Sequence, residues 1–156
     1  MNQLKMLTRA LAAAGLIALA MPAQAQYSGN VIKIGVLTDM SGLYSDLGGQ
    51  GSVEAAKMAV ADFGGKVNGM PVEIISADHQ NKADVASSKA REWVDQQGVD
   101  MMTDLLNSAV GIAVGKLTKE KNFIAINVGA ASTALTNAEC TPHQVHYAYD
   151  TYAVAN

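Results

Sequence analysis

Three loops of the sequence carry residue types that can bind a small ligand. The first, residues 39–51, is rich in glycine and leads into a helical pattern at Ser52. The second places Asn107 and Ser108 where a helix begins directly after an apolar strand, and the third, residues 129–133, offers backbone amides and two hydroxyls. Free amides at a helix start, together with a serine hydroxyl, suit a carboxylate. The simpler alternative for Asn107 and Ser108 is a plain helix N-cap.

The glycine-rich loop can be tested first as a phosphate site. A P-loop requires a lysine and then a serine or threonine after its last glycine, whereas Gly51 is followed directly by Ser52. The dinucleotide fingerprint requires a third glycine where Glu54 stands. The sequence therefore argues against a nucleotide and leaves two interpretations. Either the glycines only let the chain turn, or the small residues let a ligand approach the helix at Ser52.

Two groups of residues have types that occur in catalytic or metal sites. Cys140, His143 and His146 could hold zinc, but a fourth ligand is not evident and His146 falls within an apparent strand. Asp78 and His79 are adjacent, and neighbouring strand residues point to opposite faces, so they do not form a dyad. The serine-hydrolase elbow G-x-S-x-G is absent from the sequence. No enzyme signature is therefore found in the sequence, and neither a cofactor nor a metal is expected.

The amino-terminal residues have the composition of an export signal. Lys5 and Arg9 precede an apolar run, residues 11–21, that is too short to cross a bilayer. Pro22 then leads into small residues, so we predict a signal peptide over residues 1–25 with cleavage after Ala25. The alternative, an uncleaved anchor, requires a longer apolar run. The expected location of the product is the periplasm.

Charge and cysteine content narrow the range of partners. Loss of Lys5 and Arg9 with the signal leaves nine basic residues against 14 acidic ones, a formal charge of −5. No basic cluster remains that would release counterions from nucleic acid, so no nucleic-acid partner is expected. Cys140 is the single cysteine. It therefore forms no internal disulfide and is either buried and free or paired outside the quoted chain.

Runs rich in β-formers alternate with segments of helical period along the rest of the chain. This pattern predicts the α/β class, with a parallel sheet covered by crossover helices. The expected strands are residues 31–37, 71–77, 99–106, 123–128 and 145–149. The expected helices are residues 52–63, 83–97, one that begins at 107–108, and the first turns of another at 151–156. Ligands of such sheets bind beyond the carboxyl ends of the strands, where all the candidate loops lie.

Three segments, in this order and spacing, resemble a known family. They are IKIGVLTDMSG, NSAVGIAVGKLTKEKNFIAINVGAASTALT and VHYAYDTYA, and they follow a secretory signal. Together they resemble the type I periplasmic solute-binding proteins of ABC importers, in particular the branched-chain amino acid (leucine/isoleucine/valine) binding family and its relatives that take amides or aromatic acids. The resemblance covers residues 31–156 and implies a Rossmann-like or flavodoxin-like lobe. It also implies a small-molecule solute as ligand and membrane permease and ATPase subunits as partners.

The resemblance further implies which residues hold the ligand. In that family two α/β lobes close on a small solute, and the first lobe holds the ligand carboxylate. The family serine at the start of the third helix matches Ser108. The candidate ligand-binding residues of the matching loops are Ser41, Leu47, Leu106, Asn107, Ser108, Gly129, Ala130, Ala131, Ser132, Asp150 and Tyr152.

Two departures from the family pattern bear on the ligand. Leu47 stands where amino acid binders often have a tyrosine, and Ala131 stands where they often have a threonine. Both weaken the case for leucine itself and leave a carboxylate or amide solute. Family members are also much longer, so residues 26–156 are expected to be the first, amino-terminal part of the first lobe. The alternatives are an exported flavodoxin-like enzyme that uses Asp78, His79 or the Cys140 group, and the sensor domain of a signalling receptor.

Overall fold

A six-stranded, mostly parallel sheet is the framework of the structure, a computed structural model that describes Tyr27 and residues 29–156. The strands are β1 (Ile32–Thr38), β2 (Lys66–Val67), β3 (Met70–Asp78), β4 (Met101–Asp104), β5 (Ile124–Asn127) and β6 (Gln144–His146). The helices are α1 (Gly49–Asp62), α2 (Ala83–Glu92), α3 (Ser108–Lys121) and α4 (Thr151–Ala155). The predicted α/β class is confirmed. The predicted signal peptide and its cleavage at Ala25 lie outside the described residues.

The strand order is β2-β3-β1-β4-β5-β6. The pairs β1–β3, β1–β4, β4–β5 and β5–β6 are parallel, and β2 pairs antiparallel with β3. The chain passes from β1 to β3 on one side and then crosses to β4 on the other side of β1. The order therefore reverses between β1 and β4, so the loops after these two strands diverge. In open α/β sheets a ligand binds at such a reversal.

The hydrophobic core lies on the sheet face that α2 and α3 cover. Leu37 of β1 and Met102 of β4 are fully buried in one cluster with Val110 and Val114 of α3. Because side chains alternate along a strand, Ile34 and Val36 of β1 face the other way. They line an apolar groove of about 480 Å³ beside α1. The core is thus concentrated on one side of the sheet.

Trp93 sets the distance between α2 and the sheet. Its ring is buried, and a methyl group added at Gly35 would lie 2.4 Å from Cζ3 and 2.6 Å from Cε3 of that ring. Only glycine at this position of β1 leaves room for the indole. Trp93 begins a π-helical turn, Trp93–Gln97, which ends at Gly98 with φ of 64°. That left-handed value favours glycine, as the sequence predicted for the end of this helix.

Several predicted boundaries are corrected by the structure. The strand expected at 99–106 is shortened to β4 because Leu105 has φ of 52°, which ends the extended conformation. The strand expected at 145–149 is β6, three residues long. The segment between the first predicted helix and the second predicted strand, expected only to turn the chain, contains β2. The first helix begins three residues earlier than Ser52, at Gly49. Among the described residues no helix has both the length and the apolar character needed to cross a membrane.

Two predicted apolar helix faces differ from those observed. Phe63 continues the helical spacing of Val53, Ala56 and Val60, which predicts one apolar face. It is nevertheless 73% exposed, because the groove beside α1 remains open. Gln97 lies four residues after Trp93, a spacing that predicts the same helix face, but Gln97 is exposed. The π-helical turn changes the angular step after Trp93, so the 3.6-residue period no longer applies there.

Candidate functional site

The loops that follow β1, β4 and β5 enclose a cleft of about 400 Å³ at the carboxyl edge of the sheet. Its lining residues are Tyr44, Leu47, Ser52, Asp104, Leu106, Asn107, Ser108, Val128, Gly129, Ala131 and Tyr149. The structure thus brings together the predicted candidates from three separate loops, Leu47, Leu106, Asn107, Ser108, Gly129 and Ala131. The cleft lies where the strand order reverses, between β1 and β4.

The remaining predicted candidates lie outside the lining of this cleft. Ser41 donates from its hydroxyl to Asp78 Oδ2 at 2.6 Å. Ala130 is buried, and Tyr152 is 71% exposed. The Ser132 hydroxyl accepts from Ala134 N–H at 3.2 Å, and Asp150 Oδ1 accepts from Ala153 N–H at 2.8 Å. Ser132 and Asp150 therefore act as helix caps.

Ser108 has the most informative hydrogen bonds in the cleft. Its hydroxyl oxygen accepts from Ala131 N–H at 3.3 Å and from Ser132 N–H at 3.2 Å. A serine hydroxyl can accept two hydrogen bonds and donate one. Because both acceptor positions are used, the hydroxyl hydrogen is the one hydrogen-bonding group of this side chain that these two contacts do not use. Ser108 is also the first residue of α3, at the positive end of the helix dipole.

Asn107 holds the beginning of α3 in place. Its Oδ1 accepts from Ala109 N–H at 2.7 Å and from Val110 N–H at 3.3 Å, and its Nδ2 donates to Asn81 Oδ1. This is the N-cap that the sequence allowed as the simpler alternative. The N–H of Ser108 is not one of the two amides that this cap uses. Asn107 is accordingly a positioning residue for Ser108.

The glycine-rich loop is organised by two acidic side chains. Asp39, fully buried, accepts from Gly42 N–H at 2.7 Å and from Tyr44 N–H at 2.9 Å, which places Tyr44 at the cleft. Asp78 accepts from Met40 N–H at 2.9 Å. Gly49, with φ of 52°, donates to Thr38 Oγ1 at 3.0 Å where α1 begins. Thr38 and the two carboxylates thus hold the loop as one wall of the cleft.

Asp104, the last residue of β4, is a buried acid at the cleft. It is 2% exposed, and its Oδ2 has no hydrogen-bond partner among the described residues. Burial raises the pKa of this carboxyl, while the nearby hydroxyls of Thr38 and Ser52 and the ring of His79 oppose the rise. A methyl group added at Gly48 would lie 3.1 Å from Oδ2, so the glycine-rich loop packs closely on the carboxylate.

His79 is a second buried polar side chain close to this region. Its Nδ1 accepts from Asn81 N–H at 3.0 Å, so the ring proton is on Nε2. Nε2 has no partner among the described residues. Burial lowers the pKa of His79, although the carboxylates of Asp39, Asp104 and Asp78 oppose the fall. The ring is therefore neutral at physiological pH.

The two buried groups predict a specific pH dependence of stability. Below pH 6.5 the unfolded chain protonates His79 before the folded one does, so stability is lost as pH falls. Above pH 3.8 the unfolded chain ionises Asp104 before the folded chain does, so the contribution of Asp104 to the stability of the fold is lost as pH rises. Between about pH 4 and 6.5 we expect His79→Gln to flatten the rise of stability with pH and Asp104→Asn to steepen it. Urea unfolding at several pH values measures both slopes, and an unchanged slope in either variant contradicts the assignment.

The cysteine-histidine group does not form a metal site in the described part of the chain. His143 Nδ1 lies 3.2 Å from Thr118 O, and His146 Nε2 lies 2.6 Å from Ala130 O. Cys140 is exposed, whereas the sequence allowed a buried thiol. Within residues 29–156 no group of three histidine, cysteine or acidic side chains is placed to bind a metal ion.

Several lining residues were missed by sequence reasoning. Tyr44 lies within the glycine-rich loop, and Tyr149 falls at the end of a strand predicted to be longer. Asp104 was assigned to the interior of a predicted strand. One signal was available for Asp104, because a single acidic residue near the carboxyl end of an apolar strand points to the edge where ligands bind.

Comparison with known proteins shows a clear relationship. A family model described as periplasmic binding protein matches residues 31–156. A periplasmic binding protein from Burkholderia mallei is 58% identical, with a TM-score of 0.79 over 81% of this chain. A branched chain amino acid ABC transporter periplasmic ligand-binding protein from Burkholderia xenovorans is 44% identical, with a TM-score of 0.74 over 76% of this chain. No curated protein matches the sequence.

A more distant structure extends the range of ligands found with this fold. It is an ABC transporter solute-binding protein from Rhodopseudomonas palustris in complex with 4-hydroxybenzoate, 26% identical, with a TM-score of 0.70 over 77% of this chain. The chain spans about a third of the length of these structures: 34% of the Burkholderia mallei protein and 32% of each of the other two.

Proposed function

The chain belongs to the periplasmic binding protein family, and on that premise we propose that it forms one wall of the cleft of an exported solute receptor for an ABC importer. The receptor binds its solute and does not transform it. The solute is a small carboxylate or amide of the branched-chain amino acid, amide or aromatic acid type. The receptor works in the periplasm and delivers the solute to a membrane permease and its ATPase.

The hydrogen bonding of Ser108 carries this proposal. An acyl oxygen of the solute accepts the Ser108 O–H and the N–H of the same residue, at the positive end of α3. The loop amides of Ala131 and Ser132 hold the hydroxyl in orientation rather than contacting the solute. Because donors and a helix dipole converge on one point, the cleft suits an anionic or strongly polar acyl group.

The rest of the lining fits the organic part of such a solute. Leu47, Leu106 and Val128 supply apolar surface, and Tyr44 and Tyr149 supply aromatic surface. Gly129 and Ala131 line the cleft without large side chains. Gly129 packs directly on Leu106, because a methyl group added at Gly129 would lie 2.4 Å from Leu106 Cδ1. A short aliphatic or aromatic acid fits between these walls. 4-Hydroxybenzoate, bound in the Rhodopseudomonas palustris structure, has this form, and so do the branched-chain amino acids for which the Burkholderia xenovorans protein is named.

A matched ligand panel tests the proposal. The complete gene product is mixed with leucine, benzoate, benzamide and 4-hydroxybenzoate. Each acid is paired with its alcohol analogue: leucinol, benzyl alcohol or 4-hydroxybenzyl alcohol. At about 100 times its Kd a ligand stabilises the folded state by about 2.7 kcal/mol, which raises Tm by roughly 5 °C or more. We expect such a rise with at least one acid or amide and none with its alcohol. The absence of a shift with every acid and amide, or equal shifts with the alcohols, contradicts the proposal.

A further inference from the structure

A buried carboxylate oxygen of Asp104, a residue of the cleft, has no hydrogen-bond partner in the described part of the chain. Asp104 Oδ2 is inaccessible to solvent and unpaired among the described residues, although the Asp104 side chain lines the cleft. A buried polar group left without a hydrogen bond destabilises a fold by about 1–3 kcal/mol, and more when it is charged. Almost all buried polar groups are therefore paired, and an exception needs an explanation.

The backbone at Asp104 also carries strain. Asp104 has φ of 80° and Leu105 has φ of 52°, both in the left-handed region that glycine favours. Such conformations cost on the order of 1–3 kcal/mol each and persist mainly where a binding site requires them. Alternation along β4 would turn Asp104 towards the side of Met102, in the core. The left-handed residues end that alternation, and the carboxylate instead borders the cleft.

The neighbours of Asp104 do not remove the need for a donor. The hydroxyls of Thr38 and Ser52 lie close enough to oppose the rise in the pKa of Asp104, but neither makes a hydrogen bond to Oδ2. Among the described residues, the lining of the cleft contains neither lysine nor arginine. The carboxyl group of Asp104 is therefore an acceptor on one side of the cleft, while Ser108 is a donor at another point.

We propose that Asp104 is a specificity-determining residue that accepts a hydrogen bond from a donor group of the solute. The inference rests on the proposed function and narrows its substrate class. The solute carries an acyl oxygen for Ser108 and, elsewhere on the molecule, a hydroxyl or ammonium group for Asp104. A solute that lacks the donor leaves Oδ2 buried and unpaired, which is how sites of this kind reject analogues that are otherwise the same shape.

Matched pairs of probes test this role by isothermal titration of the complete gene product. The hydroxyl arm compares 4-hydroxybenzoate with benzoate, and the ammonium arm compares leucine with 4-methylpentanoate. The wild type is expected to bind the donor-bearing member at least tenfold more tightly in one arm. Asp104→Gly, which removes the carboxylate and accepts the left-handed backbone, is expected to reduce that preference to less than threefold. Asp104→Asn, which keeps one acceptor oxygen without the charge, is expected to fall between the two.

The control is Asp46→Asn, the same chemical change at an exposed residue of the glycine-rich loop that does not line the cleft. It is expected to keep the wild-type preference. A preference that survives in Asp104→Gly, or a wild type that binds both members of both pairs equally, overturns the role of Asp104 and leaves the solute receptor intact. Binding of no acid at all overturns the proposed function as well, so the two failures are distinguishable.

Discussion

Replacing Ser108 with alanine is expected to weaken binding of the acidic solute by about 10- to 150-fold. The substitution removes a hydroxyl donor to a charged oxygen, an interaction worth about 1.5–3 kcal/mol. It also leaves the N–H groups of Ala131 and Ser132 without their acceptor, so the wall opposite α3 loses the contact that holds it. Because Asn107 still caps the helix, α3 itself is expected to remain folded.

The measurement is the Kd by isothermal titration, together with the melting temperature of each unliganded variant. Ser108→Thr retains the hydroxyl and is expected to restore most of the affinity. Ser88→Ala makes the same change at an exposed serine of α2 that does not line the cleft, and it is expected to bind as the wild type does. Equal Kd values for Ser108→Ala and the wild type would show that the ligand oxygen does not contact this hydroxyl.

The location of Ser108 could be predicted from sequence, but its chemistry could not. A strand followed by a capping residue and a helical stripe is a local pattern, so the N-terminus of α3 is evident from a few residues. The two amides that orient the hydroxyl come from residues 131 and 132, more than 20 positions away. Only the folded sheet, with β4 and β5 adjacent, brings them together.

Asp104 shows a different limit of sequence reasoning. Its place at the cleft depends on where β4 ends, and that end is set by the left-handed backbone of residues 104 and 105. Neither residue is a glycine, so no residue type signals the change. Likewise the alternating pattern predicts a parallel sheet, but the order that places β1 between β3 and β4 depends on long-range pairing.

Trp93→Ala is expected to lower the free energy of unfolding by about 3–5 kcal/mol. The indole is buried between the sheet and the helical layer, in one cluster with Ala90, Leu117 and Phe123. Its removal leaves a cavity that the glycine at position 35 cannot fill. Urea denaturation of the complete gene product measures the loss, and a loss below about 1 kcal/mol would contradict the packing described here.

A double-mutant cycle with Gly35 tests the same contact from the other side. Gly35→Ala alone is expected to cost about 1–3 kcal/mol, because the new methyl group would lie 2.4 Å from the ring of Trp93. In the Trp93→Leu background the clash is removed, so the destabilisation caused by Gly35→Ala should fall by about 1 kcal/mol or more. A coupling energy of this size is expected only for residues in direct contact. Gly51→Ala is the matched control, since nothing lies within 4 Å of its added methyl group and it stands in α1. That control is expected to stabilise the protein by about 0.5–1 kcal/mol. Glycine to alanine should therefore lower the free energy of unfolding at position 35 and raise it at position 51.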